Sequence, residues 1–182
     1  MFVGQKKILR TLLNQKNNML RILDITAPDI NNGNGVRVTL WVAGCTHHCK
    51  GCHNSWTWDF NQGKKFSNED DREFLQDILE DWLSRDYVEG LTLSGGDPLD
   101  QDNEGLRLLL DIIKWVRRNY PTKNVWCYTG YTYEQLRGLQ KELADSCDVL
   151  VDGPYVEELK DIAHTPFRGS TNQRILYIKD LK

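Results

Sequence analysis

The sequence lacks any long apolar run. No stretch approaches the ~20 apolar residues that a membrane-spanning helix requires, and the N-terminus shows no apolar segment followed by a cleavage site, as a secretory signal would. Internal repeats and low-complexity segments are also missing. With a net charge of -3, the composition does not favour nucleic-acid binding. We therefore expect a cytoplasmic globular protein that needs neither a membrane nor a nucleic acid as partner.

Cysteine is scarce and unevenly distributed. The chain has five cysteines among 182 residues, which is an odd number, and three of them lie within one loop. A disulfide framework would require spaced pairs, so this distribution favours metal ligation in a reducing compartment. Cys127 and Cys147 stand alone further along the chain, and we expect both to be small buried apolar residues without a role in catalysis.

The loop Cys45–Cys52 has the spacing C-x3-C-x2-C. Soft thiolates select zinc, copper(I) or iron–sulfur clusters over hard cations. A [4Fe-4S] cluster normally takes four cysteines, so three would leave one iron without a protein ligand. A structural zinc site is the alternative, with His47, His48 or His53 as the fourth ligand, but the second, separate ligand pair typical of such sites is missing. We therefore interpret the loop as a cluster site and the histidines as hydrogen-bonding groups nearby.

Strand and helix patterns alternate along the chain. Apolar residues at helical spacing predict one helix after Ser67–Asp70, a second over Glu104–Asn119 and a third after a capping box at Thr132–Gln135. Short runs of branched and aromatic residues predict strands at Leu20–Ile25, Val36–Val42, Leu91–Ser94, Asn124–Tyr128, Asp148–Val151 and Arg174–Ile178. Strands separated by helices indicate an α/β fold, an open partial (β/α) barrel of about five to six mostly parallel strands.

The polar motifs of the sequence follow the predicted strands. The cysteine loop, Gly95–Asp97, Thr129–Gly130 and Asp152–Gly153 each begin where one strand ends. In parallel sheets, chemistry gathers at the C-terminal edge of the strands. We therefore expect these segments to meet at one edge.

Two of these motifs, taken together, resemble the radical S-adenosylmethionine (radical SAM) enzymes. Cys45, Cys49 and Cys52 match the superfamily signature, and Gly95-Gly96-Asp97-Pro98 is similar to its Gly-Gly-Glu/Asp-Pro segment. The resemblance implies that the three cysteines hold a [4Fe-4S] cluster, one per chain. It also implies that S-adenosyl-L-methionine chelates the open iron and is cleaved by one electron to a 5'-deoxyadenosyl radical.

The resemblance also implies which residues contact the cofactor. Gly95 and Gly96 would allow close approach of the backbone, and Asp97 would accept from the methionine ammonium group. Many members carry an aromatic residue just before the third cysteine, where it touches the adenine, whereas this chain has Gly51. The adenine contact is therefore assigned to the backbone of Gly51 and Cys52 and to His53.

Three further segments resemble one subgroup, the activating enzymes of anaerobic, glycyl-radical ribonucleoside-triphosphate reductases. They are Tyr128–Tyr131, Val151–Tyr155 and Phe167–Arg174. The resemblance implies the large subunit of such a reductase as partner and a small flavoprotein such as flavodoxin as electron donor. Three alternatives remain: an activase of pyruvate formate-lyase type, a small-molecule radical SAM enzyme, and a zinc-stabilised binding module without catalysis.

Two segments carry more general predictions. Residues 1–19 are basic and are interpreted as an extension outside a core domain at 20–182. Arg168–Arg174 is either an ordinary polar loop or a contact to the cofactor carboxylate or the partner protein.

Overall fold

The protein is described by a computed structural model over residues 20–66, 69–161 and 163–181. The basic extension at 1–19 and the Ser67 cap of the first predicted helix lie outside the described residues. Within them, one seven-stranded sheet has the order β3-β1-β2-β4-β5-β6-β7. The strands are β1 Arg21–Asp29, β2 Val36–Val42, β3 Lys64–Lys65, β4 Val88–Gly95, β5 Asn124–Tyr128, β6 Val149–Asp152 and β7 Arg174–Tyr177. The α-helices are α1 Glu69–Leu83, α2 Asn103–Asn119 and α3 Gly138–Ser146.

Four central strands run parallel. Strands β2, β4, β5 and β6 pair in parallel with their neighbours, and the connections between them contain α1, α2 and α3 in turn. A crossover of this kind is what joins parallel strands. The α/β class predicted from the sequence is confirmed.

The sheet has a parallel centre, as predicted, but it contains seven strands where about five to six were predicted, and its outer strands are antiparallel. Strands β1 and β7 are antiparallel to their neighbours β2 and β6, and the short β3 is antiparallel to β1. The connections from β1 to β2 and from β6 to β7 contain no α-helix, so the chain turns back beside the strand it has just left. Strand β1 also continues past Pro28, because a register shift between Thr26 and Asp29 accommodates the proline.

The third helix begins later than its capping box predicts. The Thr132 amide donates to Gln135 Oε1 at 2.7 Å, but this contact closes a 3-10 turn at Tyr133–Gln135. Leu136 then leaves the turn in an extended conformation, with ψ of 139°. The α-helix starts only at Gly138. The segment therefore forms a 3-10 turn and then a separate α-helix, where a single helix was predicted.

The two faces of the sheet have different environments. In β2, Val38, Leu40 and Val42 are fully buried in a core that includes leucines of all three helices. Alternate residues of a strand point to opposite faces, so Thr39 and Trp41 project to the side away from the helices. Thr39 donates there to Asp29 Oδ2 at 2.6 Å. The helices thus cover one face, and the other face is available to form the wall of a site.

A buried arginine ties three strands together at the edge where the parallel strands begin. Arg37 is 0 % exposed. Its guanidinium donates to Thr92 Oγ1 at 2.6 Å, to Asn124 Oδ1 at 2.8 Å and to the Leu91 carbonyl at 2.7 Å. Burial lowers its pKa to about 10, so it remains charged at neutral pH. The cation therefore holds β2, β4 and β5 in register.

Arg37→Ala is expected to lower the free energy of unfolding by about 3 kcal/mol, because buried acceptors lose their donors and a cavity remains. Anaerobic urea unfolding measures this change. Arg107→Ala, at an exposed position of α2, is the matched control and should change the free energy by less than ~0.5 kcal/mol. Equal effects of the two variants would contradict the structural role of Arg37.

Candidate functional site

The cysteine loop, Cys45–Cys52, follows the end of β2. Main-chain hydrogen bonds to the segment after the loop hold its start in place. The amides of Gly44 and Cys45 donate to the carbonyls of Thr57 and Trp58 at 2.8 and 3.1 Å. Cys45 is buried and Cys49 and Cys52 are half-buried, and all three are free thiols. They line one cavity of about 830 Å³, here called the central cavity.

The predicted convergence at one sheet edge is confirmed. In the parallel register, Val42 lies beside Gly95, and Tyr128 lies beside Val151. The segments that follow these strands therefore meet. Among the predicted residues, the central cavity is lined by Cys45, Cys49, Cys52, His53, Gly95, Gly96 and Asp97, together with Thr129, Gly130 and Gly153.

The carboxylate of Asp97 is the centre of a hydrogen-bond network. Its Oδ2 accepts from Thr129 Oγ1 at 3.0 Å and from the Gly130 amide at 2.9 Å, and His47 Nε2 lies 2.9 Å from the same oxygen. Its Oδ1 accepts from the Leu99 amide at 2.8 Å. Asp97 is 1 % exposed. Oδ2 is fully used by protein donors, so only Oδ1 retains capacity for a further donor.

His47 connects this network to the cysteine loop. Its ring packs edge-on against Tyr131, with 4.5 Å between centroids. A Cβ on Gly130 would lie 2.5 Å from the imidazole Cδ2, so only glycine permits this approach. The hydrogen bond to Asp97 raises the pKa of His47. The prediction that His47 is a hydrogen-bonding residue of the loop agrees with these contacts.

A second carboxylate holds the start of the same loop. Asp100 Oδ2 accepts from the Thr46 amide at 2.5 Å and from Thr46 Oγ1 at 2.6 Å. Its Oδ1 accepts from the Tyr131 hydroxyl at 2.9 Å. The role of Asp100 is not visible in the sequence, because a single aspartate after Pro98-Leu99 carries no signal of its own. The loop is thus anchored to the ends of two neighbouring strands.

Gly95 and Gly96 are required by a close approach of two chain segments. The Gly96 amide donates to the Val42 carbonyl and the Asp97 amide to the Gly44 carbonyl, both at 2.8 Å. A Cβ on Gly96 would lie 2.2 Å from the Gly44 oxygen, and one on Gly95 would lie 2.5 Å from the Val42 oxygen. These glycines therefore allow the end of β4 to lie close to the segment that leads into Cys45, independently of any contact with a ligand.

The thiols of Cys45 and Cys49 are protonated in the protein alone. Burial, with a contribution from Asp97, raises the pKa of Cys45 to about 12. Burial also raises the pKa of Cys49. Because thiolates are the metal ligands, binding of a cluster must displace these protons.

The segment 153–160 forms the wall beside the third cysteine. The ring of Tyr155 lies 5.3 Å from that of His53, and its hydroxyl donates to Glu157. A Cβ on Gly51 would lie 1.9 Å from Glu157 Oε2. Gly51, assigned to the adenine contact from the sequence, thus has Glu157 beside its Cα and is absent from the residues that line the central cavity.

Arg168 supplies a cation to the cavity wall. Its Nη1 donates to the Gln173 carbonyl at 3.0 Å, while its buried Nε has no hydrogen-bond partner among the described residues. The Gln173 side chain accepts from the Gly169 amide at 2.8 Å and donates to the Gly153 carbonyl at 3.0 Å. The loop is therefore ordered by its own contacts and presents one unused N–H of a charged group.

The geometry distinguishes the loop cysteines from the other two. Cys127 and Cys147 are buried in the helix-side core, as predicted. No three His, Cys, Asp or Glu side chains of the described ranges are placed to hold a single metal ion. In a [4Fe-4S] cluster each thiolate binds its own iron, so the sulfurs need not converge on one point.

Comparison with known proteins supports the iron–sulfur interpretation. The family described as "4Fe-4S single cluster domain" matches residues 31–176, which include the cysteine loop and most of the residues that line the central cavity. The chain is therefore an iron–sulfur protein of the single-cluster class.

Curated relatives define the family more narrowly. The chain is 42 % identical over 149 residues to the anaerobic ribonucleoside-triphosphate reductase-activating protein of Pasteurella multocida, covering 81 % of this chain and 90 % of that protein. The proteins of the same name from Escherichia coli K12 and Enterobacteria phage T4 are 38 % and 39 % identical, covering 83 % and 81 % of this chain and 94 % and 87 % of those proteins. The chain belongs to the family of anaerobic ribonucleoside-triphosphate reductase-activating proteins. None of the helices in the described part of the chain has the length and apolar character to cross a membrane.

Proposed function

We propose that this chain is a radical SAM enzyme that removes a hydrogen atom from the Cα of one glycine in the large subunit of an anaerobic ribonucleoside-triphosphate reductase. The single observation that carries the proposal is the division of the cysteines. Three thiols line the central cavity, and the other two lie in the helix-side core. A four-iron cluster held by this set keeps one iron open, and an open iron is where a second cofactor binds.

The residues present fit such a cluster and S-adenosyl-L-methionine. Cys45, Cys49 and Cys52 provide the soft donor set, and the unpartnered Nε of Arg168 in the same cavity suits an anionic group such as the methionine carboxylate. Gly95, Gly96, Asp97, Cys52 and His53 remain the proposed cofactor contacts, with Asp97 limited to its Oδ1 atom. When bound, the two cofactors supply a carbon-centred radical that abstracts hydrogen.

The protein itself positions the cysteine loop and limits the access of water to the cavity. Asp97 and Asp100 fix the cysteine loop against the neighbouring strand ends, and burial around Cys45 keeps that side of the cavity dry. Because the helices cover only one face, we also propose that the sheet is the curved part of an open barrel whose inner face admits the glycine-bearing loop of the reductase. The proposed electron donor is flavodoxin. The proposed location is the cytoplasm, since all five cysteines are free thiols.

Anaerobic reconstitution tests this function. Protein loaded with iron and sulfide, S-adenosylmethionine and dithionite is mixed with the reductase large subunit and examined by electron paramagnetic resonance. We expect a glycine-centred radical whose splitting collapses when the reductase carries glycine deuterated at Cα. Pyruvate formate-lyase in a parallel sample should remain without a signal. Turnover of a free metabolite with no radical on the reductase would contradict the proposal.

A further inference from the structure

We propose that Tyr155 provides the aromatic surface on which the adenine of S-adenosylmethionine rests; this inference depends on the proposed function. The residue before the third cysteine is Gly51, which has no side chain to offer a base. Its φ is +74°, and the place of a side chain is taken by the Glu157 carboxylate, 1.9 Å from an ideal Cβ. No side chain fits at position 51 unless Glu157 moves.

The ring of Tyr155 is clamped between three parts of the site. Its hydroxyl donates to the same Glu157 carboxylate that stands over Gly51. One side of the ring faces His53 at 5.3 Å with an interplanar angle of 48°. On another side, a Cβ on Gly169 would lie 2.8 Å from Tyr155 Cδ2. The ring is therefore oriented before any ligand arrives.

The backbone of Tyr155 is equally fixed. The Tyr155 side chain lines the central cavity together with Cys49 and Cys52, the preceding carbonyl of Pro154 accepts from Asn172 Nδ2 at 2.8 Å, and the following amide of Val156 donates to Ser170 Oγ at 3.2 Å. These contacts place the ring next to the cysteine loop. A nucleoside joined to a ligand of the open iron must lie in this neighbourhood.

The other Trp, Tyr and Phe side chains of the cavity wall are otherwise engaged, and Phe167 packs edge-on against Trp126. Trp41 donates to Thr26 Oγ1 at 2.9 Å and packs against Trp56. Tyr128 donates to the Phe167 carbonyl at 3.0 Å. Tyr155 is distinguished from them by its ring contact with His53, which follows the third cysteine, and by its hydroxyl bond to the carboxylate over Gly51. Stacking of a base on an aromatic ring tolerates many geometries and is worth roughly a 5-fold to 100-fold change in affinity.

Binding measurements on the anaerobically reconstituted protein test the assignment. The probes are S-adenosylmethionine and S-methylmethionine, which keeps the sulfonium amino acid but has no adenine. Tyr155→Ala and Tyr155→Leu should weaken binding of S-adenosylmethionine ~10-fold or more, and Tyr155→Phe by less than ~3-fold, because the ring remains. Binding of S-methylmethionine should change by less than ~2-fold in all three variants, and iron and sulfide content should stay at the wild-type level. Tyr87→Ala, exposed before β4, is the control.

The outcomes separate the two proposals. If both probes weaken equally, or if Tyr155→Phe is as damaging as Tyr155→Leu, Tyr155 is not the adenine contact. Normal wild-type binding with unchanged affinity in Tyr155→Leu would also overturn this inference alone. A wild-type protein that assembles no cluster or does not bind S-adenosylmethionine would overturn the proposed function itself.

Discussion

Cys45→Ala, Cys49→Ala and Cys52→Ala should each reduce cleavage of S-adenosylmethionine to the background rate. Each removes one of the three thiols that line the central cavity, and the remaining two cannot hold a four-iron cluster with a single open iron. Cleavage is measured anaerobically with dithionite as release of 5'-deoxyadenosine. Iron and acid-labile sulfide should fall in the same variants, which shows that the loss arises at assembly.

The matched controls are the two cysteines of the core. The neighbouring Cys147 thiol and burial raise the pKa of Cys127 well above its usual range, and the two thiols donate to the carbonyls of Tyr128 and Leu143. Cys127→Ala and Cys147→Ala should retain cleavage and cluster content and lose only about 1 kcal/mol of stability through the small cavities they create. Equal loss of activity across all five cysteine variants would overturn the ligand assignment.

The second large effect is expected from Asp97→Ala. The substitution leaves the amides of Leu99 and Gly130 and the Thr129 hydroxyl without their acceptor, and it frees His47 from its partner. Unsatisfied buried donors cost about 1–3 kcal/mol each, so we expect a loss of at least about 3 kcal/mol in unfolding free energy. Affinity for S-adenosylmethionine should also fall ~10-fold or more, since only ~1.4 kcal/mol of lost interaction is needed for that change.

Asp97→Asn tests whether the charge or the shape is needed. The amide is the same size but replaces one acceptor oxygen with a donor, so at least one of the present hydrogen bonds must break. The cluster should still assemble in both variants, and cofactor affinity measured by equilibrium dialysis should fall in both. Wild-type affinity in Asp97→Ala would show that Asp97 neither contacts the cofactor nor positions the residues that do.

Much of this site can be predicted because parallel pairing of the strands determines which of the segments that follow them become neighbours. Each of the polar segments was recognised as following a strand, and parallel pairing then brings strand ends together without any knowledge of side-chain contacts. β2 and β5 have the predicted bounds, since their runs of branched and aromatic residues end before Ala43-Gly44 and before Thr129-Gly130. The antiparallel outer strands were not predicted. The connections from β1 to β2 and from β6 to β7 contain no helical pattern, and their sequences do not show in which direction the next strand runs.

The contacts between distant segments were beyond prediction. The sequence shows a glycine at position 51, but not that the Glu157 carboxylate lies over it or that Tyr155 lies beside Glu157. The sequence predicts a ligand contact for Asp97, but not that the same carboxylate accepts from several of the protein's own donors. Both results depend on which side chains become neighbours after folding, and neither spacing nor composition encodes this for residues so far apart in the chain.

The two carboxylates that hold the cysteine loop bear on how the protein responds to oxygen. Asp97 holds the loop at His47 and Asp100 holds it at Thr46, so neither anchor uses a cysteine sulfur. Loss of a cluster to oxygen would remove no atom from these two anchors. Reloading with iron and sulfide would then start from a loop that is still attached to the ends of the strands.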